Sequence, residues 1–501
     1  MSRTLPASVR RAAPVLRPGA LAYAEALFDD GFRIHMDNTC AAAAGATLTN
    51  ASSVLQFWLK QHPNSSQWWD KYAAEALIPH MVLSAPSVLT NDWRTAHASI
   101  VVLPVWQFGG TLLAPERCRR LLWRESAAFR ETRGARHFFV LTADRGPCCF
   151  DGDMMLPELA RHHVIGNHGE LPGHHWRHKL AWRQQNPPNL PCFDARKDIS
   201  FPTPLPILRG GASRAERRRT PAGQERTLLG FYVGGGLMAT GLREGRALLK
   251  IHFNASTPDI FVRSNLPPDQ VVDAMGRAKY CMIMGGYAPW TPRLVQAIDA
   301  GCVPVICSSW LPPFSRVLDW TRFSVRVGSL EDIPLLRSTL LQQNYESLAA
   351  GVAFVRDALI YNHHTASVGV LPFLQLEMAL ALGDATSLAD SLTSRADQTL
   401  GVGSWKAFEG QGESRVDYTA MTKKIQWGAS DIPEGVVRVR TRDENNVSRA
   451  WHCAPTVGHG HFLNIRSPMD PSNSLEADPR PKPQSCHCVR TEGPVKYTAF
   501  R

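Results

Sequence analysis

Short continuous runs of β-branched and aromatic residues punctuate this chain, separated by turn-rich segments. Two lie in the first half, Ser99 to Phe108 (SIVVLPVWQF) and His137 to Asp144 (HFFVLTAD). Apolar on consecutive positions, each reads as a strand buried on both faces, which is the habit of a parallel sheet. Six prolines between Asn186 and Pro206 then break regular structure. The segment that follows, residues 209–226, carries six Arg against two Glu and little that is apolar. A domain boundary is therefore expected near residues 205–225, with that basic stretch as a solvated linker.

Beyond the boundary the pattern alternates. Strands are predicted at Leu228–Val233, Asp259–Arg263, Lys279–Met284, Val303–Ser308 and Phe323–Val327. Helical period appears at Pro267–Ala278, where Val271, Val272 and Met275 share one side, and again at Pro292–Ala300. Strand and helix in turn are the mark of a doubly wound α/β sheet. One or two helices are expected over Glu331–Leu359 and another over Leu371–Ser394. The resulting division is a leader at 1–30, unstructured or weakly helical, an N-terminal α/β domain at 31–215 and a second at 225–360. A helical segment at 361–400 and a loosely ordered tail at 401–501, with its Cys486-His487-Cys488 cluster, complete it.

Composition narrows the class. The 501 residues are 44% hydrophobic and carry a net charge of +11, with mean hydropathy −0.19, as expected of a globular protein with a real interior. No run reaches the ~18 apolar residues needed to cross a bilayer. The longest, Leu371–Leu382, contains Gln375 and Glu377. The first residues are basic and Ala-rich without a continuous apolar core, so neither a secretory signal nor an anchor is read there. Basic charge of this size suits nucleic acid, an anionic membrane face or a phosphorylated ligand, and the interleaved basic and aromatic strands of a nucleic-acid binder are missing. Eleven cysteines include no CxxC pair, which argues against a zinc array. Four glycosylation sequons, at Asn50, Asn64, Asn254 and Asn446, are compatible with passage through the secretory pathway.

The chemistry concentrates where a strand ends and a helix opens, in Gly285-Gly286-Tyr287-Ala288-Pro289-Trp290-Thr291-Pro292-Arg293. Thr291 is a favoured N-cap, Pro292 fits the first helical position, and Gly301 supplies a stop. Loops at the carboxyl ends of parallel strands are where open α/β sheets bind ligands. Gly285 and Gly286 allow close approach, and the unpaired N–H groups beyond them favour a phosphate. Arg293 then adds a forked guanidinium, the alternative being a pairing with a surface carboxylate. A second basic pair, Arg243 and Arg246, follows the turn Gly234-Gly235-Gly236 and would share a helix face. Together with Arg293 it would surround a diphosphate.

The block KYCMIMGGYAPWTPRLVQAIDAGCVPVICSSWLPPFSRVLDWTRFSV, with HFFVLTADRG, CFDARKDISFP and FYVGGG, resembles the exostosin-like glycosyltransferases, glycosyltransferase family 47. The likeness spans roughly residues 95–360. It implies a GT-B fold, two Rossmann-like domains facing a cleft, with a nucleotide sugar held by the second domain and UDP its expected nucleotide. It also implies inverting transfer to an oligosaccharide, polysaccharide or glycoprotein acceptor in the Golgi, with no metal cofactor required. Arg293 resembles the family's arginine at the donor-site helix, and Arg243 or Arg246 the one after the glycine-rich strand end. Where the family commonly has Glu or Asp three residues after that first arginine, this chain has Gln296, an amide that still accepts from a ribose hydroxyl but lacks the charge.

Asp144, at a strand's carboxyl end, is the candidate base for the acceptor hydroxyl, the alternative being a turn-forming Asp. The lumenal setting would let Cys148 or Cys149 pair with Cys192, while Cys281 and Cys302 are expected to pack as small buried hydrophobes. The loop from His162 to His178 is read as a polar surface loop or part of the acceptor groove rather than a metal site. A different class of function, a catalytically silent glycan- or partner-binding protein of the same fold, is motivated by Gln296.

Overall fold

A computed structural model of the chain describes residues 5–43, 50–54, 56, 72–102, 105–106, 110–111, 115–142, 146, 162–167, 193–205, 225–234, 243–253, 257–285, 290–308, 310–327, 330–361 and 366–383, and three tail strands. Residues 1–178 and 183–409 form one compact unit. Residues 179–182 and 410–501 form a second, in which Val437–Arg442, Ser448–Pro455 and Cys486–Arg490 make an antiparallel sheet where a loosely ordered tail was expected.

The larger unit holds two parallel sheets. The first contains β1 (Ile34–Asp37), β2 (Ala98–Val102), β3 (His137–Val140), β4 (His163–Gly166) and β5 (Ile199–Ser200), which lie side by side in chain order. The apolar run from Ser99 yields β2 only as far as Val102, and Val105–Trp106 pairs back on Gly110–Thr111. The second sheet contains β6 (Leu228–Val233), β7 (Ile260–Arg263), β8 (Ala278–Met284), β9 (Val303–Cys307) and β10 (Val325–Arg326). Its order is β7-β6-β8-β9-β10, every pair parallel. All five residues of β9 are buried, as a central parallel strand covered on both faces requires.

Eight helices matter to the argument. These are α1 (Ala7–Ala12), α2 (Ala20–Asp30), α3 (Ala74–Leu83), α4 (Arg243–His252), α5 (Pro268–Arg277), α6 (Arg293–Asp299), α7 (Tyr345–Leu359) and α8 (Ala366–Leu382). Of the leader expected at 1–30, residues 5–30 instead supply helices and core residues. Val9, Ala12 and Val15 repeat at i, i+3 and i+6 and are buried, with α1 packed on α7 and α8. The backbone then docks on the second half of the chain, Arg17 N–H donating to Val317 O at 2.9 Å and Asp319 N–H to Val15 O at 2.8 Å.

α8 is buried along most of its length because it runs between elements of both halves, touching α1, α2, α3, α7 and β5. Among the described residues no helix is long and apolar enough to cross a membrane. The two polar residues in its apolar run each hold a partner. Gln375 Nε2 donates to Phe32 O at 3.0 Å. Glu377, 1% exposed, accepts from Arg316 Nη1 and from the Arg316 backbone N–H, both at 2.9 Å. Arg316 Nη2 reaches on to Ala195 O (2.7 Å) and Asp198 O (2.8 Å), just before β5. One buried ion pair thus ties α8, the segment after β9 and the entry to the last strand of the first sheet.

Among the described residues two disulfides reinforce the unit. Cys40 pairs with Cys118, between the helices Thr39–Ala43 and Pro115–Glu125. Cys281 pairs with Cys302, correcting the expectation that they pack as separate hydrophobes. The register sets Tyr280 beside Val303, so Cys281 and Cys302 lie diagonally across adjacent strands with Cα atoms 5.8 Å apart, within bonding range. Cys148, Cys149 and Cys192 lie outside the described residues.

Candidate functional site

The order β7-β6-β8-β9-β10 reverses direction between β6 and β8. Chain connections leave to opposite sides at that point, and in such sheets a crevice above the carboxyl ends of the two strands is the usual ligand position. In the first sheet the described strands run in simple sequence and show no such reversal.

Three segments converge there. Strand β6 ends with Tyr232 and Val233, and the Tyr232 ring lies against Gly234, where a Cβ would come within 2.3 Å of the phenol oxygen. Only glycine leaves room for that ring. Strand β8 ends at Met284, and the carbonyl of buried Gly285 accepts two hydrogen bonds from Arg246, at 3.0 Å from Nε and 2.7 Å from Nη2. Arg246 stands one turn into α4, so helix spacing aims it across to the neighbouring strand end. The third segment opens α6. Thr291 Oγ1 accepts from the Arg293 N–H at 3.4 Å and Thr291 O from the Leu294 N–H at 3.3 Å. Pro292 is the N-cap residue, one position before the helical start expected for it. Gly301 adopts φ +67° and stops the helix as its position suggested.

Arg293 decides the electrostatics. Its Nη1 donates to Gln296 Oε1 at 3.0 Å, and no carboxylate pairs with it among the described residues. Burial pulls the guanidinium pKa down, Tyr232 opposes this, and the like charge of Arg246 adds to it. Guanidinium stays protonated in proteins, so the charge remains and is only poorly compensated. Gln296 Oε1 thus has one of its two lone pairs engaged by Arg293. A carboxylate at 296 would neutralise the arginine, whereas the amide positions it and leaves its charge available to an anion. Since α6 has only seven residues, the guanidinium groups outweigh its N–H groups as a source of positive potential.

The first half reaches this crevice through aromatic contact. Trp290, 4% exposed, stands edge-on to Tyr72 with ring centroids 6.1 Å apart. Tyr72 O accepts from Thr142 Oγ1 at 3.1 Å, and Thr142 lies two residues beyond the end of β3. The carboxyl side of the first sheet and the loop that opens α6 are therefore neighbours.

Of the other predicted residues, Arg243 is the first residue of α4, its side chain lying outside the described set. Gly286 and Asp144 are outside the described residues. In the His-rich loop only His162 and His163 are described. His163 faces the carbonyls of Lys197 (2.9 Å) and Ala135 (3.2 Å), and His162 packs against Phe129 and Phe139. Sequence reasoning missed Tyr232 and Ser308, whose buried hydroxyl oxygens have no hydrogen-bond partner among the described residues. Ser308 directly follows β9, where the register sets Met284 beside Cys307. A phenol near the end of a buried strand is the signal that could have pointed to Tyr232, because such a group must find a partner.

Two Rossmann-like parallel sheets, with arginines gathered at the switch point of the second, make a fold of GT-B type. Residues 31–343 match the Exostosin GT47 domain, and the chain belongs to that family. It is 30% identical over 212 residues to a probable glycosyltransferase of Arabidopsis thaliana, covering 39% of this chain and 43% of that protein. It is also 28% identical over 294 residues to the probable glucuronosyltransferase GUT1 of Oryza sativa subsp. japonica, covering 54% and 64%. Against the probable beta-1,4-xylosyltransferase IRX10 of Arabidopsis thaliana it is 26% identical over 294 residues, covering 54% and 64%. The chain thus spans about half the length of the curated relatives it matches.

Proposed function

We propose that this protein transfers a sugar from a UDP-sugar to a glycan acceptor with inversion, and that Arg293 and Arg246 stabilise the departing diphosphate. The observation that carries this reading is the buried Arg293 guanidinium, held by a neutral amide beside a second arginine at the switch point. In the reaction the acceptor oxygen attacks the anomeric carbon and gives its proton to a base. The bond from that carbon to the diphosphate breaks, and its electron pair leaves with the phosphate. Preorganised cations aimed at that developing charge supply on the order of 3 kcal/mol per strong contact. Asp144 is proposed as the base, and no metal ion has a part in this scheme. The relatives named as glucuronosyl- and xylosyltransferases make UDP-glucuronic acid and UDP-xylose the first donors to test.

A Golgi or other oxidising lumen is the proposed compartment, supported by the two disulfides, since thiols in the cytosol are kept reduced. Engagement of Gln296 Oε1 by Arg293 favours the second reading, a silent binding protein, to the extent that ribose recognition needs an acceptor there. Turnover of any donor excludes it.

Calorimetric titration with UDP tests the leading proposal. Binding is expected, and Arg293→Ala should weaken it by about 100-fold, the loss of one charge-assisted contact. Absence of UDP binding at millimolar concentration overturns the proposal, and equal affinity in the variant removes Arg293 from the site.

A further inference from the structure

We propose that Asn50 carries an N-linked glycan, joined through Nδ2 to an oligosaccharide delivered on a lipid diphosphate. This rests on the lumenal compartment proposed above and adds a covalent modification to it. Asn50-Ala51-Ser52 is a glycosylation sequon, and Asn50 and Ser52 are both exposed. Of the four sequons, this is the one whose asparagine lies within the described residues.

The local geometry uses the amide oxygen and leaves the nitrogen. Residues 51–54 are helical, and Asn50 caps them. Ser53 N–H donates to Asn50 Oδ1 at 2.9 Å, and Asn50 N–H donates to Ser53 Oγ at 3.3 Å, a reciprocal cap. Because a backbone N–H must face an acceptor, the first of these bonds fixes which amide atom is the oxygen. Among the described residues Nδ2 has no protein hydrogen bond, the bonds of Asn50 being made by Oδ1 and the backbone. The segment is anchored, with His80 Nδ1 at 2.9 Å from Ala51 O and Val54 3% exposed in the core, so the exposed amide stands at a fixed point on the surface. In the joining step Nδ2 attacks the anomeric carbon of the oligosaccharide. The bond from that carbon to the diphosphate breaks, its electron pair leaves on the diphosphate, and Nδ2 gives one proton to a base of the transferring enzyme. The step consumes one N–H of Nδ2 and leaves Oδ1 an acceptor, so the cap survives modification. The Cys40–Cys118 disulfide, whose first cysteine lies in the preceding helix Thr39–Ala43, supports the same oxidising compartment.

The test isolates the full chain from its native cells and, separately, from a eukaryotic host that makes it behind a cleavable secretory signal. Enzymatic glycan release in heavy-oxygen water turns a linked Asn into labelled Asp, which peptide mass spectrometry reads at position 50. Label is expected there in both preparations. Ser52→Ala should abolish it and Ser52→Thr should keep it, both substitutions leaving the reciprocal cap in place. No label at position 50 behind the signal overturns the site itself, and label found only behind the signal overturns the proposal through its compartment. Label that persists in Ser52→Ala marks spontaneous deamidation instead of a glycan, and loss in Ser52→Thr marks a need for Ser52 other than the sequon, so either overturns it too. The transferase reading is decided separately, by the UDP titration.

Discussion

Removing the Cys281–Cys302 disulfide should weaken both the fold and the site. The bond closes a loop with a sequence separation of 21, and that loop contains the end of β8, Gly285, Thr291 and all of α6. Cross-linking a loop of this size removes unfolded-state entropy of about 3 kcal/mol at 25 °C. The separation of 78 for Cys40–Cys118 gives about 4.5 kcal/mol by the same relation. Both cysteines of the first pair are fully or almost fully buried, so Cys281→Ala/Cys302→Ala adds a small cavity without exposing new surface. Urea denaturation of the double variant, against oxidised and reduced wild type, should show a loss of about 3 kcal/mol. UDP affinity should fall with it, since Arg293 and Gly285 sit inside the released loop. Reaction of Cys281 with maleimide in denatured, unreduced protein, or unfolding of the double variant at the same urea concentration as wild type, would refute this.

Two more predictions concern buried charge. Burial would raise the Asp37 pKa, but His137, with Nε2 3.6 Å from the carboxylate, and hydrogen bonds from Ser126 and Thr39 outweigh it and bring the carboxyl down to about 2. A depressed acid stabilises the fold above its unfolded pKa, so about 2 kcal/mol should be present above pH 4 and be lost as pH falls through about 2. Asp37→Asn should flatten that part of the urea-stability profile between pH 4.5 and 2.5, and an unchanged slope would contradict the assignment. Glu377→Ala should cost about 3–5 kcal/mol by leaving Arg316 buried and unpaired. Arg316→Met/Glu377→Leu should recover part of that loss, and a double variant no more stable than the single one would show that the guanidinium's bonds to Ala195 O and Asp198 O matter more than the pair.

Much of the second sheet was legible because its strands are buried on both faces. Leu228–Val233 matches β6 in full, and Lys279–Met284 falls one residue short of β8, as expected when continuous apolar runs are bounded by glycine turns. The bounds of α6 were legible from Thr291 and Pro292 at its start and Gly301 past its end, whose local chemistry acts within one turn. What failed depends on partners distant in sequence. Six residues with two arginines carry too little local signal to announce α1, and the helices it packs on, α7 and α8, lie in the far half of the chain. The Cys281–Cys302 pair needed the β8–β9 register, which no spacing rule supplies. Tyr232 could be placed on a strand, but the burial of its hydroxyl without a hydrogen-bond partner depends on the elements packed around it.

The docking of α1 on α7 and α8 imposes an order of assembly. A ribosome adding about 5–20 residues per second takes roughly 20 to 70 seconds to travel from the first helix to the last of its partners. Throughout that interval Val9, Ala12 and Val15 do not yet have α7 and α8 to pack on, while the residues of β1 through β5 have all been made. The beginning of the chain is therefore among the last parts to find its place, a latch that closes only when the far end of the unit has arrived.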